Sequence, residues 1–136
     1  MSRRPTQKPV SEWTDPRHVL GHEGEEDAVA YFEARGWRIA ARRFRLGHHD
    51  LDLVVRRGSQ VAFVEVKTRR SRRYGTVLEA LGHKQRRALT RLAEVWIQRH
   101  GRAGDSYRFD LIGVDVLTVG AGRVTHVEDA WRAERR

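Results

Sequence analysis

The chain has 136 residues, enough for one domain with a buried core and too few for two ordinary ones. Its 27 lysines and arginines against 18 acidic residues give a formal charge of +9. That balance points to a polyanionic partner, with nucleic acid the commonest and an anionic membrane surface the competitor. Cysteine is absent, which excludes disulfides and thiolate metal sites. With no apolar run near the roughly 18 residues of a membrane span and no signal-type N-terminus, the expected setting is cytoplasmic and off the membrane.

Residues 1–18 contain all three prolines and little apolar periodicity, so they read as a flexible basic tail, with one folded domain over 19–136. From Gly24 to Arg35 the apolar residues Ala28, Tyr31 and Phe32 recur at helical spacing, and Gly36 stands where a helix-ending glycine belongs. Trp37, Ile39 and Ala41 then alternate with Arg38, Ala40 and Arg42, a strand pattern that continues toward Phe44.

Two strand-like runs follow, Asp50–Val55 and Val61–Lys67, and the turn residues Gly58 and Ser59 between them predict a β-hairpin. A two-residue Gly58-Ser59 loop suits a type II′ turn and pairs Arg57 with Gln60, so paired residue numbers sum to 117, and a four-residue loop with Arg56 opposite Val61 gives the same sum. Asp52 then falls opposite Glu65, and Asp50 opposite Lys67. Cross-strand neighbours have Cβ atoms about 4.5–5.5 Å apart, and alternation along the strand puts Glu65 and Lys67 on one face. Farther on, Thr76 and Glu79 form a capping box for a second helix. Its apolar stripe runs through Leu81, Gln85, Ala88, Leu89, Leu92, Ala93, Trp96 and Ile97 to a stop near Gly101. The opposite face carries Lys84, Arg87 and Arg91. Tyr107, Phe109 and Leu111 alternate with polar residues as another strand, and a last hairpin turns at residues 120–122. Trp37 and Trp96 read as core residues. Asp110 reads as structural or as the partner of an arginine on the second helix.

Two carboxylates facing each other across a sheet repel, so Asp52 and Glu65 require a compensating group. A hard divalent cation, Mg²⁺ or Mn²⁺, fits, because it prefers oxygen ligands and commonly binds through one or two carboxylates plus water and phosphate. Lys67 is placed to hold a water or to stabilise charge at a phosphodiester, and the run Arg69, Arg70, Arg72 and Arg73, with Lys84 and Arg87, is placed to grip flanking phosphates. In a chain one-third charged, a lone Glu-x-Lys is ordinarily a solvated strand face; the registered Asp52 is what sets this one apart. His48 and His49 alternate across the strand, so at most one of them faces the carboxylates, and a loop role is expected for both.

Asp52, a thirteen-residue interval and Glu65-Val66-Lys67 together resemble the PD-(D/E)XK signature of restriction-endonuclease-like and Holliday-junction-resolvase-like proteins. More narrowly, Gly21-x-x-Gly24-Glu25, Ala34 to Ile39, Phe63 to Arg69, Tyr74-Gly75, Lys84 to Arg87, Arg108-Phe109-Asp110 and Val127 to Trp131 resemble the YraN family of small bacterial proteins. The resemblance implies an α/β fold, a mixed sheet flanked by helices with a restriction-endonuclease-like αβββαβ core. It further implies a metal at Asp52, Glu65 and the Val66 carbonyl, the motif-lysine role for Lys67, and a helix-borne Glu25 near the metal. The activity it implies is a divalent-metal-dependent endonuclease hydrolysing DNA phosphodiesters, with a homodimer to address two strands. The competing reading is a non-catalytic nucleic-acid-binding module that uses the basic loop and the second helix. This chain departs from the pattern with His49-Asp50-Leu51-Asp52 where Gly-Glu-Ile-Asp is usual, and with Arg43 where asparagine is frequent.

Overall fold

The computed structural model describes residues 16–69, 82–120 and 122–132, with side chains from Gly24 onward. The chain runs α1 (Pro16–Ala34), β1 (Arg38–Leu46), β2 (His49–Arg57), β3 (Gln60–Arg69), α2 (His83–His100), β4 (Ser106–Asp115) and β5 (Val124–Trp131). α1 begins eight residues before the helix expected from Gly24, and before the 18/19 domain boundary as well. Pro16 explains the early start, because its fixed φ and missing N–H suit the first helical position, while the apolar periodicity begins only at Ala28. The expected tail lies, up to residue 15, outside the described residues. α1 ends as expected at Gly36, at φ +86°, where the Gly36 N–H donates to the Glu33 carbonyl and the Trp37 N–H to the Phe32 carbonyl.

All five strands form one sheet in the order β1-β2-β3-β4-β5, antiparallel except for the parallel β3–β4 pair, which α2 connects. The fold is therefore α/β, a mixed sheet between two helices. The hairpin register is the expected one: Arg57 pairs with Gln60 and Leu53 with Val64, every pair summing to 117. Gly58 sits at φ +63° as the first turn residue, as a type II′ turn requires. On one face Leu51, Phe63, Phe109 and Trp131 pack against Leu89, Leu92, Ala93 and Trp96 of α2. On the other, Leu53, Val55, Val64, Ile112 and Val114 pack against Trp37 and against Ala28 and Phe32 of α1. β3 is covered on both faces, which is why Val61–Val64 reads as an unbroken apolar run. The Thr76 and Glu79 cap falls outside the described residues; α2 is described from His83, with Gly82 at its N-cap position. Among the described residues no helix is long and apolar enough to cross a membrane.

Candidate functional site

The β2–β3 ladder stops one pair short of the acidic residues. Leu53–Val64 is the last backbone pair, and beyond it the Asp52 carboxyl, rather than a main-chain carbonyl, accepts the Val66 N–H at 2.7 Å. The same point disturbs the β1–β2 ladder. Arg42 pairs with Leu53 and Phe44 with Leu51, placing Arg43 across from Asp52, and Arg43 takes a left-handed φ of +50°. Leu51 accordingly joins the core under α2 while Leu53 joins the core under α1, so the strand changes face across Asp52. Unbroken alternation would have kept both leucines on one side. The consequence is a splayed strand end with a side chain plugging the gap.

Asp52 and Glu65 meet in that gap. Burial pushes the Asp52 carboxyl up to about 9, and the neighbouring Glu65 charge pushes it the same way, against the opposing pull of the Val66 N–H. Glu65 is also raised, again by burial, although Lys67 and a hydrogen bond from Asp52 pull it down. A protonated Asp52 donating to an ionised Glu65 satisfies both sets of influences. Lys67 Nζ lies 3.2 Å from Glu65 Oε2, and Gln85 of α2 donates to that same oxygen at 2.8 Å. Asp52, Glu65 and Lys67 are thus brought together, and two buried carboxyls with raised pKa values are the kind of pair that functional sites contain.

Glu25 stands on the α1 side, close enough for its charge to contribute to the Asp52 shift. Its carboxylate takes the Arg43 Nε at 3.2 Å, and Arg42 bridges Glu25 at 3.6 Å and Glu26 at 2.8 Å. α1 approaches this closely because Gly24 has no side chain: a Cβ there would run into the Thr68 hydroxyl oxygen first, and come 3.0 Å from the Thr68 Cβ and Cγ2. Arg69 ends β3, its carbonyl accepting the Val116 N–H at 2.9 Å, whereas Arg70, Arg72 and Arg73 lie outside the described residues. Lys84 and Arg87 are exposed on α2. His49 opens β2 and is exposed, as is His48 in the turn before it.

Two features escape the sequence reading. Gln85 belongs by spacing to the apolar stripe, yet it ligates Glu65; a polar residue on an apolar stripe is the only local sign. The second is a buried polar chain on the α1 side. Asp110, fully buried, accepts from His126 Nε2 at 2.7 Å, the Asp129 N–H at 3.0 Å and Arg108 Nη2 at 3.0 Å, while Tyr31 of α1 meets His126 Nδ1 at 2.9 Å. Burial pushes Asp110 up, but His126, the Asp129 N–H and Arg108 outweigh it and hold the carboxyl below its usual range. Asp110 is therefore structural, and its arginine comes from its own strand rather than from the second helix.

The class that this architecture defines is an α/β protein whose splayed central strands hold a buried acidic pair beside a lysine. The model of "Uncharacterised protein family UPF0102" matches residues 24–114. A UPF0102 protein of Geobacter sulfurreducens is 37% identical over 123 residues, covering 90% of this chain and 96% of the relative. One of Symbiobacterium thermophilum is 39% identical over 114 residues, covering 84% and 97%, and one of Mesorhizobium japonicum 43% over 95 residues, covering 69% and 74%. The chain belongs to the UPF0102 family, the YraN-like proteins that its motifs resemble.

Proposed function

We propose that this protein is a divalent-metal-dependent nuclease of the restriction-endonuclease-like kind, acting in the cytoplasm on nucleic-acid phosphodiesters, with DNA the preferred polymer. The observation that carries the reading is the Asp52–Glu65 pair: two buried carboxyls pressed together, both with raised pKa values, at a point where the sheet gives up its own hydrogen bonding. Burying like charges is costly unless a proton or a cation compensates them. The donor set suits Mg²⁺ or Mn²⁺, being hard oxygen throughout. Among the described residues no three His, Asp or Glu side chains form a cation cage. A cation at Asp52 and Glu65 would complete its shell with the Val66 carbonyl, water and a phosphate oxygen. That carbonyl is well placed: in an extended strand a residue's N–H and C=O point to the same edge, and the Val66 N–H points at Asp52.

A bound cation supplies charge neutralisation at the phosphodiester and a water of lowered pKa. The remaining work belongs to the chain. Asp52 and Glu65 would hold the cation in place of the proton they share, Gln85 fixes the Glu65 carboxylate, and Lys67, partly exposed beside it, would hold a water or meet the charge developing on phosphorus. Glu25 lies behind Arg43 as a reserve carboxylate. Arg69 and the following arginines, with Lys84 and Arg87, contact flanking phosphates, and two copies of the chain address the two strands of a duplex. Incubation with Mg²⁺ or Mn²⁺ and linear, flapped and four-way-junction DNA tests this: cleavage is expected, and it should vanish in Asp52→Asn and Glu65→Gln. Cleavage that persists in both variants rejects the site.

The exposed Lys84 and Arg87 on α2 favour one further reading, a nucleic-acid-binding module without catalysis that uses the basic loop and this helix. It predicts salt-dependent binding that is indifferent to metal and survives loss of both carboxylates.

A further inference from the structure

On the α2 side of the sheet, the end of α2, β1 from Arg38 to Phe44 and Arg56 of β2 border an open cleft of about 230 Å³. It lies at the end of α2 away from the acidic pair: Gln85, which touches Glu65, and His100, which lines the cleft, are fifteen residues or about 22 Å apart along the helix. Phe44 and His100 supply the accessible rings, with buried Trp96 beneath His100 at 5.3 Å between ring centroids and the Arg99 guanidinium 5.9 Å from the Phe44 centroid. Arg56 closes the floor and is fully committed, holding Asp105 through two hydrogen bonds of 2.8 and 2.9 Å. Arg38 and Arg102 stand exposed at the rim. On the α1 side Arg42, Arg43, Arg108 and Arg123 are matched to carboxylates, whereas at this cleft, among the described residues, no acidic side chain pairs with the Arg38 or Arg102 guanidinium. Two unmatched guanidiniums above aromatic walls suit a ligand that is flat at one end and doubly bondable and anionic at the other.

We propose that this cleft receives one unpaired nucleotide of a nucleic-acid strand, the base against Phe44 and His100 and its phosphate between Arg38 and Arg102. The proposal rests on the nucleic-acid reading of the acidic site and narrows it. A base enters such a cleft only when it is out of the duplex stack, so the protein should prefer single-stranded or locally unpaired substrates over continuous duplex. Stacking on aromatic walls tolerates any base, so the preference concerns strand structure rather than sequence.

Fluorescence anisotropy with a fluorescein-labelled dT12 strand, and with a duplex of equal length, tests this on the full chain without metal. The dT12 strand is expected to bind more tightly than the duplex. R38Q/R102Q should weaken dT12 about tenfold and lower the slope of log Kd against log salt by about 0.7 for each phosphate no longer neutralised. Phe44→Leu, which keeps the volume apolar but removes the flat ring, should weaken dT12 severalfold with the salt slope unchanged. Unlabelled dTMP should displace the strand at lower concentration than inorganic phosphate. The pocket is overturned if R38Q/R102Q and Phe44→Leu both bind dT12 within twofold of wild type, if duplex binds as tightly as dT12, or if phosphate competes as well as dTMP. If wild type binds neither strand nor duplex, the nucleic-acid reading falls with it.

Discussion

Replacing Asp52 with asparagine should make the metal-free protein more stable at pH 8 and should flatten its pH dependence. The Asp52 carboxyl is raised from 3.8 to about 9 in the fold, so between those values the native state holds a proton that the unfolded chain has released. The sign follows from linkage: the contribution is fully present below about pH 4 and is lost as pH rises toward 9. One proton changes stability by about 1.4 kcal/mol per pH unit, so from pH 6 to pH 8 this residue alone removes roughly 3 kcal/mol. For a domain of this size that amounts to roughly 10 °C in Tm. The asparagine side chain would still offer an oxygen to the Val66 N–H and carries no charge, so Asp52→Asn lacks this slope. Glu65 is raised too and contributes in the same direction in both proteins, which makes the difference between the two curves the informative quantity. Urea unfolding at pH 5, 6, 7 and 8 in the presence of a chelator measures it. Parallel curves, or a wild type that gains on the variant as pH rises, would refute the reasoning.

Asp110→Asn should destabilise by about 3 kcal/mol or more, read as a fall in denaturation midpoint, because it leaves the Arg108 guanidinium without its buried partner. The carboxyl of Asp110 is lowered, so its contribution is present above about pH 4 and declines only as acid protonates it. Gly24→Ala should cost about 1–3 kcal/mol by driving α1 off Thr68, with partial recovery in the double variant carrying Thr68→Ala but none with Thr68→Ser, which keeps the hydroxyl. Arg43→Asn should leave thermal stability equal or raise it by up to about 1 kcal/mol, since asparagine tolerates the φ of +50° that strains arginine and the exposed pair with Glu25 is worth little. A clear loss in calorimetric Tm would mean that the pair outweighs the strain.

Much of the fold was legible because local rules acted without competition. A glycine-first turn set the β2–β3 register, and Gly36 stopped α1 where a helix-ending glycine should. The α2 stripe through Leu89, Leu92, Ala93 and Trp96 is the buried one. The acidic pair was legible for the same reason, since a sum of 117 brings Asp52 to Glu65. What alternation could not convey was the break at Asp52: the period-two rule assumes a continuous ladder, whereas here a carboxyl replaces a backbone acceptor and the strand turns over. Arg43 is the matching irregularity on β1, and nothing in Arg42-Arg43-Phe44 marks a left-handed residue. Gln85 was hidden by its position on an apolar stripe. The Tyr31–His126 contact joins residues 95 apart, so no local pattern could announce it, and the Asp129 N–H reaches Asp110 only because the β4–β5 register shifts there.

The central claim is that the Asp52–Glu65 pair exchanges its proton for a divalent cation. Calorimetric titration with Mn²⁺ at pH 7, repeated in two buffers of different ionisation enthalpy, tests it most directly. The expected result is one Mn²⁺ per chain with about one proton released on binding, and no binding heat in Asp52→Asn. Binding without proton release, or an unchanged isotherm in that variant, would contradict it.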